Sequence, residues 1–202
     1  MIERLEQVAQ RPVSRETFEK LEAYVALLTK ENRRQNLVSA ATLESVWERH
    51  ILDSAQLVRF EPRPGATWID IGSGAGLPGI VIACLVDGPV TMVEPRRLRA
   101  DFLHRAAESL QLRGEILCER AERVEGSFDV ITARAVANLS NLLKLSAHLS
   151  TRNTVWALPK GRNGPGELAD ALQAWQGGFH VERSVTDADS WIVVGTGVRA
   201  KR

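Results

Sequence analysis

Four glycines occur within eight residues in the stretch WIDIGSGAGLPGI, Trp68–Ile80, directly after a short apolar run. Gly72, Gly74 and Gly76 alternate with small residues, and Asp70 stands two positions before the first of them. A glycine-rich turn at the end of a strand allows a ligand to approach the backbone closely. The spacing of these residues therefore predicts a ligand site, and the remaining question is which ligand it binds.

Two common ligand classes fit this stretch poorly. A phosphate-binding P-loop requires the pattern GxxxxGK[ST], and the stretch has no lysine. A dinucleotide fingerprint requires GxGxxG, but Leu77 occupies the position of its third glycine. The remaining pattern, acid-x-GxGxG, suits S-adenosylmethionine, a cofactor without phosphate whose ammonium group Asp70 could help to hold.

The ends of the next two strands supply further candidate contacts. Glu94 closes the apolar run VTMVE, where its carboxylate could accept hydrogen bonds from both ribose hydroxyls, and CERAER places Ala121 and Glu122 where adenine is expected. An NAD enzyme would also use an acid such as Glu94. Arg96 and Arg97 follow it and could bind the 2′-phosphate of NADP, although the start of a solvated helix or a contact with RNA phosphate is favoured.

The elements that position these residues follow from the apolar periodicity. Residues 1–60 are predicted to form a small helical region, with Ser14 and Thr42 as N-caps. Glu61–Gly65 contains two prolines and a glycine, which end the helical region. Residues 61–202 are predicted to form a separate methyltransferase domain.

Strands and helices alternate after this boundary, which predicts a parallel sheet covered on both faces. The strand candidates are ATWIDI, PVTMVE, EILCE, FDVITA, TVWALP, FHVERSV and WIVVGT. Helices are expected over about 77–86, 96–110 and 138–149, and the last two strands are expected to form an antiparallel pair. The predicted fold is an α/β, Rossmann-like class I methyltransferase fold with a mostly parallel seven-stranded sheet and an antiparallel last strand.

Composition excludes several other classes of protein. The 202 residues are 44% hydrophobic and 25% charged with a net charge of +1, which is typical of a globular chain and gives no overall attraction to a polyanion. Cys84 and Cys118 lie in apolar surroundings and are expected to be buried thiols, and no CxxC spacing predicts a metal. No signal peptide or membrane span is evident, so a cytoplasmic location is expected.

The motifs that this chain lacks limit the kinds of atom that it could methylate. Methylation of exocyclic amines usually involves an Asn/Asp-Pro-Pro-aromatic motif after the fourth strand, where this chain has TARAVANL. Methylation of pyrimidine carbon 5 needs a nucleophilic cysteine, and neither cysteine lies in a Pro-Cys motif. A ring nitrogen with a free lone pair, such as guanine N7, needs neither proton removal nor covalent help.

Several motifs together resemble the RsmG (GidB) family, and they occur in family order over about residues 36–162. The matching segments are IDIGSGAGLPGI, NLVSA, RHILDS, CERAE, ITARAVANL and ALPKGR. The resemblance implies an S-adenosylmethionine-dependent enzyme that methylates N7 of guanine 527 of 16S rRNA, free or in the small ribosomal subunit. A monomer without membrane association is expected.

Residue roles carry over by position. The resemblance places Gly72, Gly74, Gly76 and Leu77 beside the cofactor, Glu94 at its ribose, and Ala121 with Glu122 at its adenine. It implies further polar contacts around the cofactor and the target base from Asn36, His50, Arg120, Arg134 and Lys160. Of these, Arg120 and Arg134 are assigned to the cofactor, and Asn36, His50, Arg134 and Lys160 to catalysis.

His50 has a structural alternative, and two residues near it predict a surface ion pair. From its pattern alone, His50 could equally be a core histidine hydrogen-bonded to Asp53 or to a backbone carbonyl. Arg49 and Asp53, four residues apart, predict an exposed ion pair on one helix face.

The chain departs from the family pattern at four positions. Pro95 replaces a usual serine, Leu98 a usual lysine and Ser190 a common arginine, and Pro159 is inserted before Lys160. These departures concern the contact with RNA rather than the cofactor. A methyltransferase with another substrate, an NADP-dependent oxidoreductase and a non-catalytic RNA-binding assembly factor therefore stay open as alternatives.

Overall fold

A computed structural model describes residues 1–201 and contains one seven-stranded sheet. The strands are β1 Trp68–Ile71, β2 Val90–Val93, β3 Gly114–Leu117, β4 Val130–Ala133, β5 Val155–Lys160, β6 Trp175–Arg183 and β7 Trp191–Ala200. Their spatial order is β3-β2-β1-β4-β5-β7-β6. β1 to β5 are parallel, and β7 is antiparallel to both of its neighbours. The predicted fold class is confirmed.

The eight α-helices described in the structure cover the sheet and precede it. They are α1 Ile2–Ala9, α2 Arg15–Gln35, α3 Ala40–Glu44, α4 Asp53–Ala55, α5 Gly79–Leu85, α6 Arg97–Ser109, α7 Leu139–Ser146 and α8 Gly164–Ala171. A π-helix, Trp47–Leu52, precedes α4, and a 3-10 helix, Gln56–Phe60, follows it. Helix α8 was not among the predicted helices.

Alternation along the strands divides the apolar core between the two faces of the sheet. Trp68 and Val90 belong to a cluster that includes the N-terminal helices, whereas Ile69 and Ile131 belong to a second cluster that includes α7. Every residue of β1, β2 and β4 is buried, as expected for parallel strands covered on both faces. The N-terminal helices thus share a core with the sheet, and the division at residues 60 and 61 stays a prediction.

The N-terminal caps test the helix predictions. The Ser14 cap is confirmed, since the hydroxyl of Ser14 accepts the amide of Thr17 at 3.0 Å. The Thr42 cap is wrong, because Ser39 caps α3 and its hydroxyl accepts the amide of Thr42 itself. The helix therefore begins three residues earlier, where serine satisfies an amide that would otherwise lack a partner.

The predicted burial of Cys118 is also wrong. β3 is an edge strand that ends at Leu117, and Cys118 is exposed beyond it. The apolar residues around this cysteine belong to an edge strand that is only partly buried. Cys84 is partly buried within α5.

Gly114 is the glycine on which the pairing of β2 with β3 depends most directly. Its φ is +125°, and a Cβ at this position would lie 2.0 Å from the carbonyl oxygen of Val90. We expect Gly114→Ala to lower the free energy of unfolding by more than about 4 kcal/mol, which is exceptional for a single substitution. Chemical denaturation would measure the change.

Gly126→Ala is the matched control. Gly126 has a φ of +109° but nothing within 4 Å of the added Cβ. Its substitution should cost only backbone strain, roughly 1–3 kcal/mol. Equal costs for the two variants would contradict the argument from the carbonyl contact.

Candidate active site

The glycine loop forms at the carboxyl end of β1 and is tied to β2. Gly72, Gly74 and Gly76 have φ values of 69°, 55° and 93°, a left-handed region that favours glycine. The amides of Gly72 and Ser73 donate to the carbonyl of Val93 at 2.8 and 3.0 Å. The loop is therefore held against the end of the neighbouring strand, with its backbone open to a ligand.

Asp70 lies buried beneath this loop. Its Oδ2 accepts the amide of Gly79 at 3.1 Å, whereas its Oδ1 is buried without a partner. Burial raises the pKa of Asp70 to about 7, against the opposing effect of the hydrogen bond from the Gly79 amide. A cation beside Oδ1 would satisfy this oxygen and favour the ionised form. The site thus fits the ammonium group of S-adenosylmethionine.

Glu94 follows β2 directly and is 3% exposed. Its Oε2 accepts the amide of Gly74 at 2.9 Å, and its Oε1 accepts the amide of Arg96 at 2.9 Å. Each carboxylate oxygen retains a further lone pair, so both remain able to accept from a ribose hydroxyl. The carboxylate is thereby fixed beside the glycine loop.

The other predicted cofactor residues follow the carboxyl ends of β1 and β3. Ala121 is buried in the 3-10 helix Ala121–Arg123 after β3, whereas Glu122 and Arg120 are exposed beside it. The side chain of Leu77 packs in the core at 4% exposure, so only its backbone could contact a ligand.

A cleft of about 440 Å³ opens between the ends of β4 and β5, the π-helix and the segment that joins β6 to β7. Its lining includes His50, Arg134 and Lys160 of the predicted site residues. Pro159 and Ser190, two of the departures from the family pattern, line the same cleft.

Arg134 contacts three groups in the wall of the cleft. Its Nη1 donates to Asp53 Oδ2 at 3.3 Å and to the carbonyl of Arg49 at 3.5 Å, and its Nη2 lies 3.4 Å from Nδ1 of His50. Asp53 Oδ1 in turn accepts from Gln56 and Thr186. The guanidinium is thus fixed in direction by three groups of one short segment, Arg49–Asp53.

The predicted ion pair between Arg49 and Asp53 is wrong. Arg49 pairs with Asp187 at 3.2 Å, and Asp53 pairs with Arg134. Both residues lie in or next to the π-helix, whose backbone hydrogen bonds join positions five apart, so the spacing of an α-helix does not apply there. His50 likewise contacts Arg134 instead of Asp53.

Lys160 is held at the wall of the cleft by two oxygen atoms. Its Nζ donates to the carbonyl of Ala137 at 3.0 Å and lies 3.0 Å from Oε2 of Glu167 on α8. The same oxygen of Glu167 accepts the amide of Leu139 at the start of α7. Lys160 therefore joins the end of β5 to two helices.

Asn36 is not among the residues that line the cleft. It ends α2 as an exposed C-cap with a φ of 49°. Its neighbour Gln35 donates to the carbonyl of Leu98, which places this helix end beside the start of α6. Asn36 therefore lies near the start of α6, which follows β2 and Glu94, and on the same side as the exposed Leu98.

The segment after β4 connects the two halves of the site. Arg134, Ala135 and Ala137 line the cleft, and between them the side chain of Val136 reaches the glycine loop, 2.6 Å from where a Cβ of Gly72 would lie. Ala135 adopts a left-handed φ of 56°. A methyl donor on the loop and an acceptor in the cleft would therefore meet at this segment.

Sequence reasoning assigned no role to several residues of the cleft. Gln56, Glu167 and Thr186 line it together with Asp53, which was considered only as a structural partner of Arg49 or His50. Asp53 lies in the RHILDS motif, whose match could have indicated it. Gln56 and Thr186 lack any motif that distinguishes them from ordinary polar residues.

The sheet order and the glycine loop define the class: this is a Rossmann-like methyltransferase fold. A solved ribosomal protein L11 methylase from Lactobacillus delbrueckii subsp. bulgaricus matches with a TM-score of 0.58, covering 76% of this chain and 79% of that one at 17% identity. A SAM-dependent methyltransferase from Aquifex aeolicus matches with a TM-score of 0.56, covering 75% and 92% at 18% identity. At these identities the likeness shows the fold alone.

Sequence comparison identifies the family. The family model described as "GidB: rRNA small subunit methyltransferase G" matches residues 17–190. Proteins named ribosomal RNA small subunit methyltransferase G are similar to this chain. The one from Zymomonas mobilis is 45% identical over 94% of this chain and 90% of its own length, and the one from Sphingopyxis alaskensis is 48% identical over 91% and 80%. The chain belongs to the GidB family of methyltransferases, which confirms the family resemblance.

The raised pKa of Asp70 predicts a pH-dependent cost of folding. Because its pKa is about 7 when folded and 3.8 ordinarily, the ligand-free protein should lose stability as the pH rises from about 4 through 7. Asp70→Asn keeps a neutral group at every pH. We expect this variant to melt at a higher temperature than the wild type at pH 8, by roughly 5 °C, and at nearly the same temperature at pH 4. Differential scanning calorimetry would measure both.

Asp170→Asn, at an exposed position of α8, is the control and should shift the melting temperature little at either pH. A gain for Asp70→Asn that is equal at both pH values would contradict the argument.

Proposed function

We propose that the protein transfers the methyl group of S-adenosylmethionine to N7 of a guanine in 16S rRNA, the guanine numbered 527. Membership of a family described as rRNA small subunit methyltransferase G is the observation that carries this proposal. The substrate would be 16S rRNA, free or within the small ribosomal subunit, and the protein would act on it as a cytoplasmic monomer. No helix among residues 1–201 combines the length and apolar character needed to cross a membrane.

The proposed site has two halves: the glycine loop, which would bind the cofactor, and the cleft, which would bind the methyl acceptor. In the proposal, Asp70 holds the ammonium end of the cofactor, Glu94 holds its ribose, and the loop of Gly72, Gly74 and Gly76 lies against it. Ala121 and Glu122, with Arg120, flank adenine, and the backbone of Leu77 completes the loop. The cofactor supplies an activated methyl group on a sulfonium.

Methyl transfer to a ring nitrogen demands alignment and exclusion of water rather than acid–base chemistry. Guanine N7 carries a free lone pair, so no proton has to leave before it attacks. Arg134, His50 and Lys160 would position the base in the cleft, and Asn36 would approach from the neighbouring helix end. The fixed side chains of the cleft suit this positioning role.

The two arginines after β2 do not require another cofactor. Arg97 donates to Asp101 at 2.9 Å within α6, an ordinary pair four residues apart at a helix start. The family match favours the methyltransferase over the oxidoreductase.

Methylation mapping would test the proposal directly. In cells that lack the protein, we expect one guanine of 16S rRNA to lose its sensitivity to N7-specific chain cleavage, and the purified protein should restore it with labelled S-adenosylmethionine. The two reference samples are rRNA from cells that contain the protein and a reaction without it. Label that enters only proteins or small molecules would refute the proposed substrate.

Arg134→Ala should reduce kcat/KM for rRNA methylation by about 100-fold or more, because misplacement of a bound group by about 1 Å can cost that much. Arg134→Lys should recover little, since an ammonium cannot replace the fork that contacts both Asp53 and His50. Single-turnover methylation assays would measure both variants.

Arg15→Ala is the control, because Arg15 is an exposed arginine that pairs with Glu19 in α2. Its activity should equal that of the wild type. Full activity of Arg134→Ala would remove Arg134 from the proposed site while leaving the proposed enzyme intact.

A further inference from the structure

His50 is one of the residues that line the cleft, and one of its ring nitrogens has no hydrogen-bond partner among residues 1–201. The residue is 7% exposed, and its Nε2 is buried without a partner. Its Nδ1 lies 3.4 Å from Nη2 of Arg134. Because a guanidinium can only donate, Nδ1 must be the acceptor, and the proton of the neutral ring is then on Nε2.

The surroundings keep this histidine uncharged. Burial and the nearby Arg134 lower the pKa of His50 to about 4, and the charge of Arg49 acts in the same direction. Asp53 pairs with Arg134 and offsets its charge. The wall of the cleft therefore offers a neutral N–H whose direction is set by Arg134.

The chemistry of guanine explains why such a donor is useful. Guanine presents two acceptors on one edge, N7 and O6, which arginine commonly contacts together. A methyltransferase acting on N7 must leave that lone pair free, so only O6 remains available to a donor. Methylation also puts positive charge on the ring, and a neutral donor avoids the repulsion that a second cation would cause.

We infer that His50 is a specificity-determining residue, whose Nε2–H donates to O6 of the target guanine and excludes adenine. This inference rests on the proposed function. Adenine carries an amino group at position 6, which would oppose the N–H with another donor. A site built to donate to an oxygen leaves its donor buried and unpaired when that oxygen is absent.

The test pairs a change in the protein with a change in the base. Small-subunit rRNA is prepared with guanine, 2-aminopurine or hypoxanthine at the target position. 2-Aminopurine keeps N7 but lacks O6, and hypoxanthine keeps both atoms. The wild type should methylate guanine and hypoxanthine with similar kcat/KM and 2-aminopurine on the order of 10- to 100-fold more slowly.

His50→Phe should methylate guanine as slowly as the wild type methylates 2-aminopurine, and it should not distinguish the two bases. This coupling isolates O6 from the N1 proton that 2-aminopurine also lacks. His50→Gln can place an N–H near the position of Nε2 and should restore part of the preference. Thermal melting and binding of S-adenosylhomocysteine would check that each variant is folded.

Each outcome has a defined meaning. A wild type that methylates both bases equally, or a His50→Phe variant that keeps the preference, overturns the inference. Because the substitution also removes the contact with Arg134, a folded His50→Phe variant that is inactive on every base leaves the decision to the base preference of His50→Gln. If His50→Phe does not fold, His50→Gln decides: a retained preference supports the inference and its loss refutes it. A wild type that methylates no rRNA would refute the proposed function instead.

Discussion

The guanidinium of Arg134 is the point on which the arrangement of the cleft depends. It extends from the end of β4 to the carboxylate of Asp53 and the carbonyl of Arg49, and Asp53 is bonded in turn to Thr186 before β7. A central strand, the N-terminal helical segment and the closing hairpin are thus joined through the ion pair of Arg134 with Asp53. Arginine suits this position because it is always charged and offers several donors in fixed directions.

The two halves of the site are built on different physical grounds. The cofactor half is almost entirely backbone: three left-handed glycines and two carboxylates that accept main-chain amides. The acceptor half is made of side chains that hold one another. The first geometry needs only the end of one strand beside another, whereas the second needs distant segments to be packed correctly. This difference accounts for what the sequence could and could not predict.

Gly72, Gly74, Asp70 and Glu94 were predictable because their information is local, in the spacing of glycines and the last residue of an apolar run. The strand alternation likewise predicted the sheet. The partners of Asp53 were not predictable, since Thr186 lies 133 positions away and approaches only through the antiparallel closure of β7. The Arg49–Asp53 pair failed because α-helical spacing was assumed where the chain forms a π-helix. Few sequence signals distinguish these two helices, because the choice is made by packing.

The π-helix Trp47–Leu52 also makes the length of the RHILDS region a functional property of the chain. A wider turn of this kind holds one residue more than an α-helical turn, so removing a residue would let the segment close into a regular α-helix. Each residue of an α-helix advances about 100° around the axis. Inside the turn, a residue that precedes the deletion would then lie one position nearer to Asp53 and would point in a new direction around the axis. The chemical composition of the motif could stay nearly intact while its histidine faced away from Arg134. At this segment, the number of residues determines the direction of the histidine as much as the residue types do.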